Sequence, residues 1–246
     1  MLTTLVEFSE LDEMRFGIKS ARAKEVKAEN IIKVIEFCEK NHIIFLVARC
    51  PTSDIKAVHA MEKNGFELMD TLLYLRRDLG TMPVPDDHPR VIIRKVLPGE
   101  ESIVSEIAKE AFSDYYGHYH ADPRLNPQDC TEVYSSWAER CCLDSSGDSR
   151  VLVAELSGEL VGFRAIRMNS PKQGECVLAG VKKAFNGRGI YRSFVIEAMR
   201  WCSVQGATEV INSTHIANVA VQRTCSRLGF EVLDSFYTFH KWFSDF

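Results

Sequence analysis

"KKAFNGRGIYRSF", residues 182–194, is the stretch on which the fold turns. The apolar run ECVLAGV leads into it, and a helix is expected to begin near Ile190 and to run over 189–205. A strand that passes through glycines into a helix leaves several backbone N–H groups without partners, backed by the positive end of the helix dipole. Such a turn can cradle a pyrophosphate. Gly187 and Gly189 would let the backbone approach a ligand closely, and Arg188 and Arg192 add positive charge. A plain strand–turn–helix connection with glycines at positive φ fits the loop equally well. The loop is not G-x-x-x-x-G-K-[ST], which argues against a nucleoside triphosphatase, and not G-x-G-x-x-G, which argues against a dinucleotide fold.

The rest of the chain bounds the answer. Its 246 residues, 46% hydrophobic and 26% charged, suffice for one large or two small globular domains. A formal net charge of -4 gives no footprint for nucleic acid. No apolar run reaches the ~18 residues of a membrane span. The start, MLTTLVEFSELDE, is acidic and unlike a signal peptide, so a cytoplasmic protein is expected. Eight cysteines, Cys38, Cys50, Cys130, Cys141, Cys142, Cys176, Cys202 and Cys225, include no C-x-x-C pair; reduced thiols and no metal are expected.

"GTMPVPDDHPR", residues 80–90, is a stiff polar linker with three prolines. It divides the chain into 1–80, a linker at 81–90, and 91–246. The two parts are related. Placing Gly65 on Gly229, an offset of 164 (229 minus 65), brings Phe66 onto Phe230, Glu67 onto Glu231, Asp70 onto Asp234 and Asp54 onto Asn218. In each, an apolar strand, a helix ending at glycine and a long strand follow one another.

Periodicity predicts strands at 2–8 and 14–20, a helix at 29–41, a strand at 43–49, a helix at 54–64 and a strand at 66–77. Beyond the linker it predicts a strand at 91–96, helices at 99–112 and 127–143, and strands at 150–156, 160–168 and 174–181. After helix 189–205 come a strand at 208–214, a helix at 218–228 and a strand at 230–241. The class is mixed α/β, a sheet covered by helices.

Strand–NGRGIY–helix, then a strand, then "NVAVQRTCSRLGF" resembles the GNAT acetyltransferase superfamily over about residues 91–246. That family's loop reads Q/R-x-x-G-x-G/A; here Asn186, Gly189 and Tyr191 hold the three places, and only the middle glycine is kept. The N…LGF element matches at Asn218, Leu228, Gly229 and Phe230. "AFSDYYGHYHADPRLNPQDCTEVYSSW", residues 111–137, is similar to the matching region of TDP-fucosamine acetyltransferase and its relatives, whose D-P-R-like turn precedes a Tyr-x-x-Trp helix. Those enzymes carry an incomplete N-terminal copy of the fold, which the internal repeat matches.

The resemblance implies a GNAT acyl-CoA N-acyltransferase fold behind a degenerate copy. It also implies acetyl transfer from acetyl-CoA to the amine of a nucleotide-linked amino-deoxy sugar, TDP-linked by that likeness, in a surface-polysaccharide pathway such as lipopolysaccharide O-antigen. Acetyl-CoA would be held by Leu178, Ala179, Gly180, Val181, Gly187, Arg188, Gly189, Ile190, Tyr191 and Asn218, with a backbone N–H around Ala179–Val181 taking the oxyanion. The family's usual proton donor is a tyrosine seven residues after the asparagine, a place held here by Cys225. A thiol can protonate a thiolate of similar basicity. Tyr191, Tyr237 and a water are the alternatives, and a covalent acyl-cysteine route would need a base such as His215.

His118 and His120 are candidates for the base that deprotonates the amine. Tyr116, Tyr119 and Arg124 are candidate substrate contacts, the tyrosines by stacking or simply by filling a crevice. The corresponding turn of the first part, IKSARAKEVKAENII, lacks glycine and is expected to bind no cofactor. Its Lys19, Arg22, Lys24 and Lys27 are expected at a solvated surface. The apolar strand 230–241 is expected as an exposed edge, which makes a homodimer plausible. Two rivals stand beside this reading: a GNAT enzyme for another small-molecule or protein amine, and a non-catalytic acyl-CoA sensor.

Overall fold

A computed structural model describes residues 5–86 and 91–243. In chain order these form β1 (Val6–Phe8), α1 (Glu10–Phe16), β2 (Ser20–Ala23), α2 (Ile31–Lys40), β3 (Phe45–Pro51), α3 (Ile55–Lys63) and β4 (Glu67–Asp78). There follow β5 (Ile92–Lys95), α4 (Glu101–Phe112), α5 (Pro127–Leu143), β6 (Ser149–Leu156), β7 (Glu159–Ser170) and β8 (Gln173–Val181). After a 3-10 turn at Lys183–Phe185 come α6 (Ile190–Val204), β9 (Glu209–His215), α7 (Val219–Arg227) and β10 (Glu231–Trp242). Residues 2–4 of the first expected strand and 87–90 of the expected linker lie outside the described residues.

The chain forms two compact units: residues up to Leu73 with Tyr116–Cys130 and the stretch from Asp234, and Tyr74–Tyr115 with Thr131–Leu233. In the first, β1 pairs antiparallel with β2, β2 parallel with β3, and β3 antiparallel with β10 from Phe236 to Trp242. Val34 and Cys38 of α2, Ala57 and Met61 of α3, Leu46 and Ala48 of β3, and Phe239 of β10 are sealed into one core. The apolar positions of α2 and α3 recur at helical spacing, so each helix lays one stripe on the strands. In the second unit β5, β6, β7 and β8 form an antiparallel run, and β8 pairs parallel with β9. Helices α4 and α6 pack on β7 and β8, burying Ile107, Phe163, Phe194 and Met199.

The class and most elements agree with the sequence reading. Three expectations are corrected. The stretch 14–20 is not a strand: α1 occupies its first part and β2 starts only at Ser20. The Ser9 carbonyl accepts from Glu13 N–H, three acidic residues occupy the first turn, and Gly17 at φ 65° stops the helix with its N–H on the Glu13 carbonyl. The alternation of Met14, Phe16 and Ile18 was therefore accidental. Strand 230–241 is not a free edge, because its second half is paired with β3. Arg22 is not a solvated cation: it grips the fully buried Asp12 through Nε at 2.7 Å and Nη2 at 2.9 Å.

Candidate active site

In the second unit β8 and β9 start as partners, Gln173 opposite Glu209, and pair as far as Cys176 opposite Asn212. Beyond that point the two strands no longer pair with each other, β8 running to Val181 and β9 to His215. Lys182 N–H donates to the Val161 carbonyl at 2.9 Å. The alternation of an antiparallel ladder then turns the N–H groups of Ala179 and Val181 away from β7, toward the side where β9 has left. Leu178 and Gly180, the alternate residues, are buried.

The loop that follows is held at its start. Lys183 N–H donates to Glu110 at 2.7 Å, and its ammonium pairs with Asp114 beyond the end of α4. Gly187 and Gly189 sit at φ 76° and 84°, where a side chain would be strained. Gly189 caps α6, so the N–H groups of Ile190 and Tyr191 belong to the first helical turn and have no intrahelical acceptor. Arg188 is exposed and lies over the Phe185 ring at 5.0 Å. Asn218 spends its side chain on the N-cap of α7, accepting from Val221 N–H at 3.2 Å.

Beneath the point where β8 and β9 part lies a buried polar cluster. Arg164 on β7, only 2% exposed, donates from Nη2 to Asn212 Oδ1 at 2.9 Å and stands 5.2 Å from the centre of the Tyr191 ring. Asn212 Nδ2 donates to the Tyr191 hydroxyl at 3.3 Å and to Cys225 Sγ at 3.2 Å. Arg164 Nε has no hydrogen-bond acceptor, and no carboxylate pairs with Arg164, among the described residues. Cys225 is fully buried. Burial pushes its thiol up to about 11, against the pull of Arg164 and Asn212. Burial likewise raises the Tyr191 phenol, with Arg164 opposing. Arg164 and Asn212 had gone unnoticed in the sequence; the available signal was an arginine inside the apolar alternation of LVGFRAI.

Tyr116, His118, Tyr119, His120 and Arg124 belong to the first unit. Tyr119 is buried and its hydroxyl donates to Asp12 at 2.7 Å, so it completes the Arg22–Asp12 pair. Burial raises the Tyr119 phenol above its ordinary range. Arg124 is clamped by Asp122 at 2.8 Å and Glu67 at 3.0 Å and lies 5.1 Å over the Trp242 ring. Asp122 also accepts from Trp242 Nε1 at 2.8 Å and from His240 Nδ1 at 2.9 Å. His240 Nε2 meets His118 Nδ1 at 2.9 Å.

A carboxylate on His240 Nδ1 fixes the proton there, so His240 Nε2 accepts and His118 Nδ1 donates. His118 is therefore held with its lone pair on Nε2. Burial, and then His240 beside it, keeps His118 well below the usual imidazole range. Burial lowers His120 as well. Tyr116 is exposed. In the second unit, Tyr115 packs against Phe112 and Tyr134, filling the space beside the helices. All eight cysteines are free thiols, and no cluster able to hold a metal occurs among the described residues. No helix among the described residues is long and apolar enough to cross a membrane.

Residues 105–230 match the model of the acetyltransferase (GNAT) family. The chain is 24% identical over 206 residues to spore coat polysaccharide biosynthesis protein SpsD of Bacillus subtilis, covering 80% of this chain and 66% of SpsD. It is 30% identical over 94 residues to a mycothiol acetyltransferase of Corynebacterium glutamicum, covering 38% of this chain and 32% of that protein. The stretch shared with each of these curated relatives is thus under two thirds of its length. A GCN5-related N-acetyltransferase from Sphaerobacter thermophilus has the same fold, with a TM-score of 0.66 at 17% identity, over 96% of this chain and 76% of that one.

Proposed function

The chain belongs to the acetyltransferase (GNAT) family, and from that premise we propose that it moves the acetyl group of acetyl-CoA to the amine of a nucleotide-linked amino-deoxy sugar, TDP-linked by its resemblance. The observation that carries the transfer is the parting of β8 from β9 directly before the Gly187–Gly189 loop. In this reading the N–H groups of residues 187–191, with Arg188, take the pyrophosphate. Leu178–Val181 lie along the cofactor arm, and the N–H of Ala179 or Val181 meets the thioester oxygen as it becomes an oxyanion. Asn218 serves the site through the cap it places on α7. The acceptor nitrogen attacks the carbonyl carbon, a tetrahedral intermediate forms, and the C–S bond breaks.

The sugar acceptor is supported by the polysaccharide-biosynthesis name of SpsD and by the likeness of residues 111–137. Under the same proposal residues 1–80 are a partial, degenerate copy of the fold that holds no cofactor, and 91–246 the transferase. Tyr116 and Arg124 are its substrate contacts, and His118 or His120 accepts a proton where the amine needs one. The protein works in the cytoplasm. A second reading, another small amine as acceptor, is favoured by the mycothiol acetyltransferase match.

Mass spectrometry of reactions containing acetyl-CoA and TDP- or UDP-linked amino sugars tests the proposal. An acetylated sugar nucleotide is expected. No sugar product, with acetyl-CoA still raising the melting temperature, removes the sugar and keeps the cofactor site. Neither product nor stabilisation removes both.

A further inference from the structure

We propose that Tyr191 is the acid that protonates the departing CoA sulfur, and that Arg164, acting through Asn212, is the positioning residue that makes it one. This rests on the acetyl-transfer reading above. Arginine has donors only, so Asn212 must turn Oδ1 to Arg164 and Nδ2 to the other side. Nδ2–H then occupies a lone pair of the Tyr191 hydroxyl and of Cys225 Sγ. Both groups thus receive a hydrogen bond, and each must point its own proton elsewhere. Access separates them: Cys225 is 0% exposed, whereas Tyr191 keeps part of its surface open.

The location fits the task. Asn212 is the last residue of β9 paired with β8, and Arg164 pairs with Ala179 on the stretch of β8 that β9 has left. A fully buried guanidinium with no carboxylate partner is costly in the resting protein. That cost falls when negative charge develops beside it. As the tetrahedral intermediate collapses, the C–S electron pair goes to sulfur and the Tyr191 O–H proton follows it, giving the CoA thiol. The phenolate left behind accepts from Asn212 Nδ2–H in the field of Arg164. The proton shed by the acylated amine returns through solvent to the phenolate.

The test is the pH dependence of kcat and KM for the full chain with acetyl-CoA and an accepted amine. Tyr191→Phe keeps the ring under Arg164 and removes only the hydroxyl. Its kcat should fall about a hundredfold, as expected for loss of a general acid, with KM for acetyl-CoA little changed and the solvent deuterium effect on kcat abolished. Arg164→Lys keeps the charge but not the planar fork. It should lose less than Arg164→Met, and it carries the test if the methionine variant does not fold. A Tyr191→Phe enzyme with kcat and isotope effect intact overturns the assignment, as does a Cys225→Ala enzyme that loses what Tyr191→Phe keeps. If the wild-type protein acetylates no amine at all, the transfer reading falls and this assignment falls with it. If wild type turns over and Tyr191→Phe matches it, only the assignment falls.

Discussion

The segments β3–α3–β4 and β9–α7–β10 are one design used twice. Phe45–Pro51 and Glu209–His215, Ile55–Lys63 and Val219–Arg227, and Glu67–Asp78 and Glu231–Trp242 begin and end 164 residues apart at every boundary (209 minus 45, and so on). Asp54 and Asn218 cap the two helices in the same way, and Gly65 and Gly229 end both turns at φ 72° and 79°. What precedes them differs. In the first copy β2 has four residues, after which Val26 N–H donates to the Arg49 carbonyl at 2.9 Å, so the flank of β3 is filled beyond Ala48. Lys27 N–H is taken by Asn30 Oδ1 at 2.8 Å. In the second copy five of the nine residues of β8 run past its last pair with β9 (181 minus 176), and the loop spends its glycines on leaving N–H groups free. Under the proposed function, a shared scaffold becomes a binding site or a closed support according to one strand end and one turn.

The sharpest way to break that contrast is to close the second turn. Gly189→Val puts a β-branched side chain at φ 84° and forces the loop out of its shape. Affinity for acetyl-CoA, read by calorimetry, should fall at least about a hundredfold, about 3 kcal/mol. Lys27→Ala in the first turn should leave affinity unchanged. Equal effects would erase the distinction between the turns.

Opening the first copy instead should cost stability. Arg22→Met leaves Asp12, fully buried, with Ser9, Tyr119 and a longer contact to Arg15. Breaking such a pair from one side costs about 3 kcal/mol, here tempered because Arg22 is about one-third exposed. The change is read as a lower urea midpoint at pH 7, with acetyl-CoA affinity retained.

The repeat explains why so much of the fold was legible. Local signals placed α3, α7, β4 and β10 to within a residue or two, since each is bounded by a cap, a glycine and a long alternation. The strand–turn–helix geometry at 186–191 was legible for the same reason. The failures share a cause. Arg22 with Asp12, Asp122 with His240, and Arg164 with Asn212 are joined across strands and loops 10, 118 and 48 positions apart. No periodicity encodes which charged residue of an amphipathic stretch turns inward. The short helix α1 was missed because Ser9, an acidic first turn and Gly17 outweighed a chance alternation.

A smaller difference, between the two compact units, should appear on acidification. His118 and His240, both in the first unit, are held below the ordinary imidazole value, chiefly by burial. Arg22, Arg49, His120 and His240 bear on His118; Asp122 and Asp70 favour charging His240, and Arg124 opposes it. A depressed folded value means that the unfolded chain takes up the proton first. The stability these imidazoles contribute is thus present above about pH 6.5 and is lost as pH falls toward their folded values. Each can remove up to about 1.4 kcal/mol per pH unit in that window. Urea unfolding at pH 7.5, 6.5 and 5.5 should show the loss, and His118→Asn should flatten it. Asp12, whose carboxylate is held below its usual range, acts only at lower pH. An unchanged slope in the variant would place the acid sensitivity elsewhere.

The two caps give the smallest effect and the closest comparison. Asp54 accepts from Ala57 N–H at 2.9 Å, and Asn218 from Val221 N–H at 3.2 Å. Either residue changed to alanine should cost about 1 kcal/mol. Asp54 adds a carboxylate at the positive end of the α3 dipole, worth roughly a further 0.5 kcal/mol at low salt. Urea midpoints should therefore fall more for Asp54→Ala than for Asn218→Ala, and the gap should narrow as salt is added. A larger loss for Asn218→Ala, or a gap indifferent to salt, would mean that Asn218 does something in its copy that capping does not explain. The equivalence of the two helices would then end at their first turn.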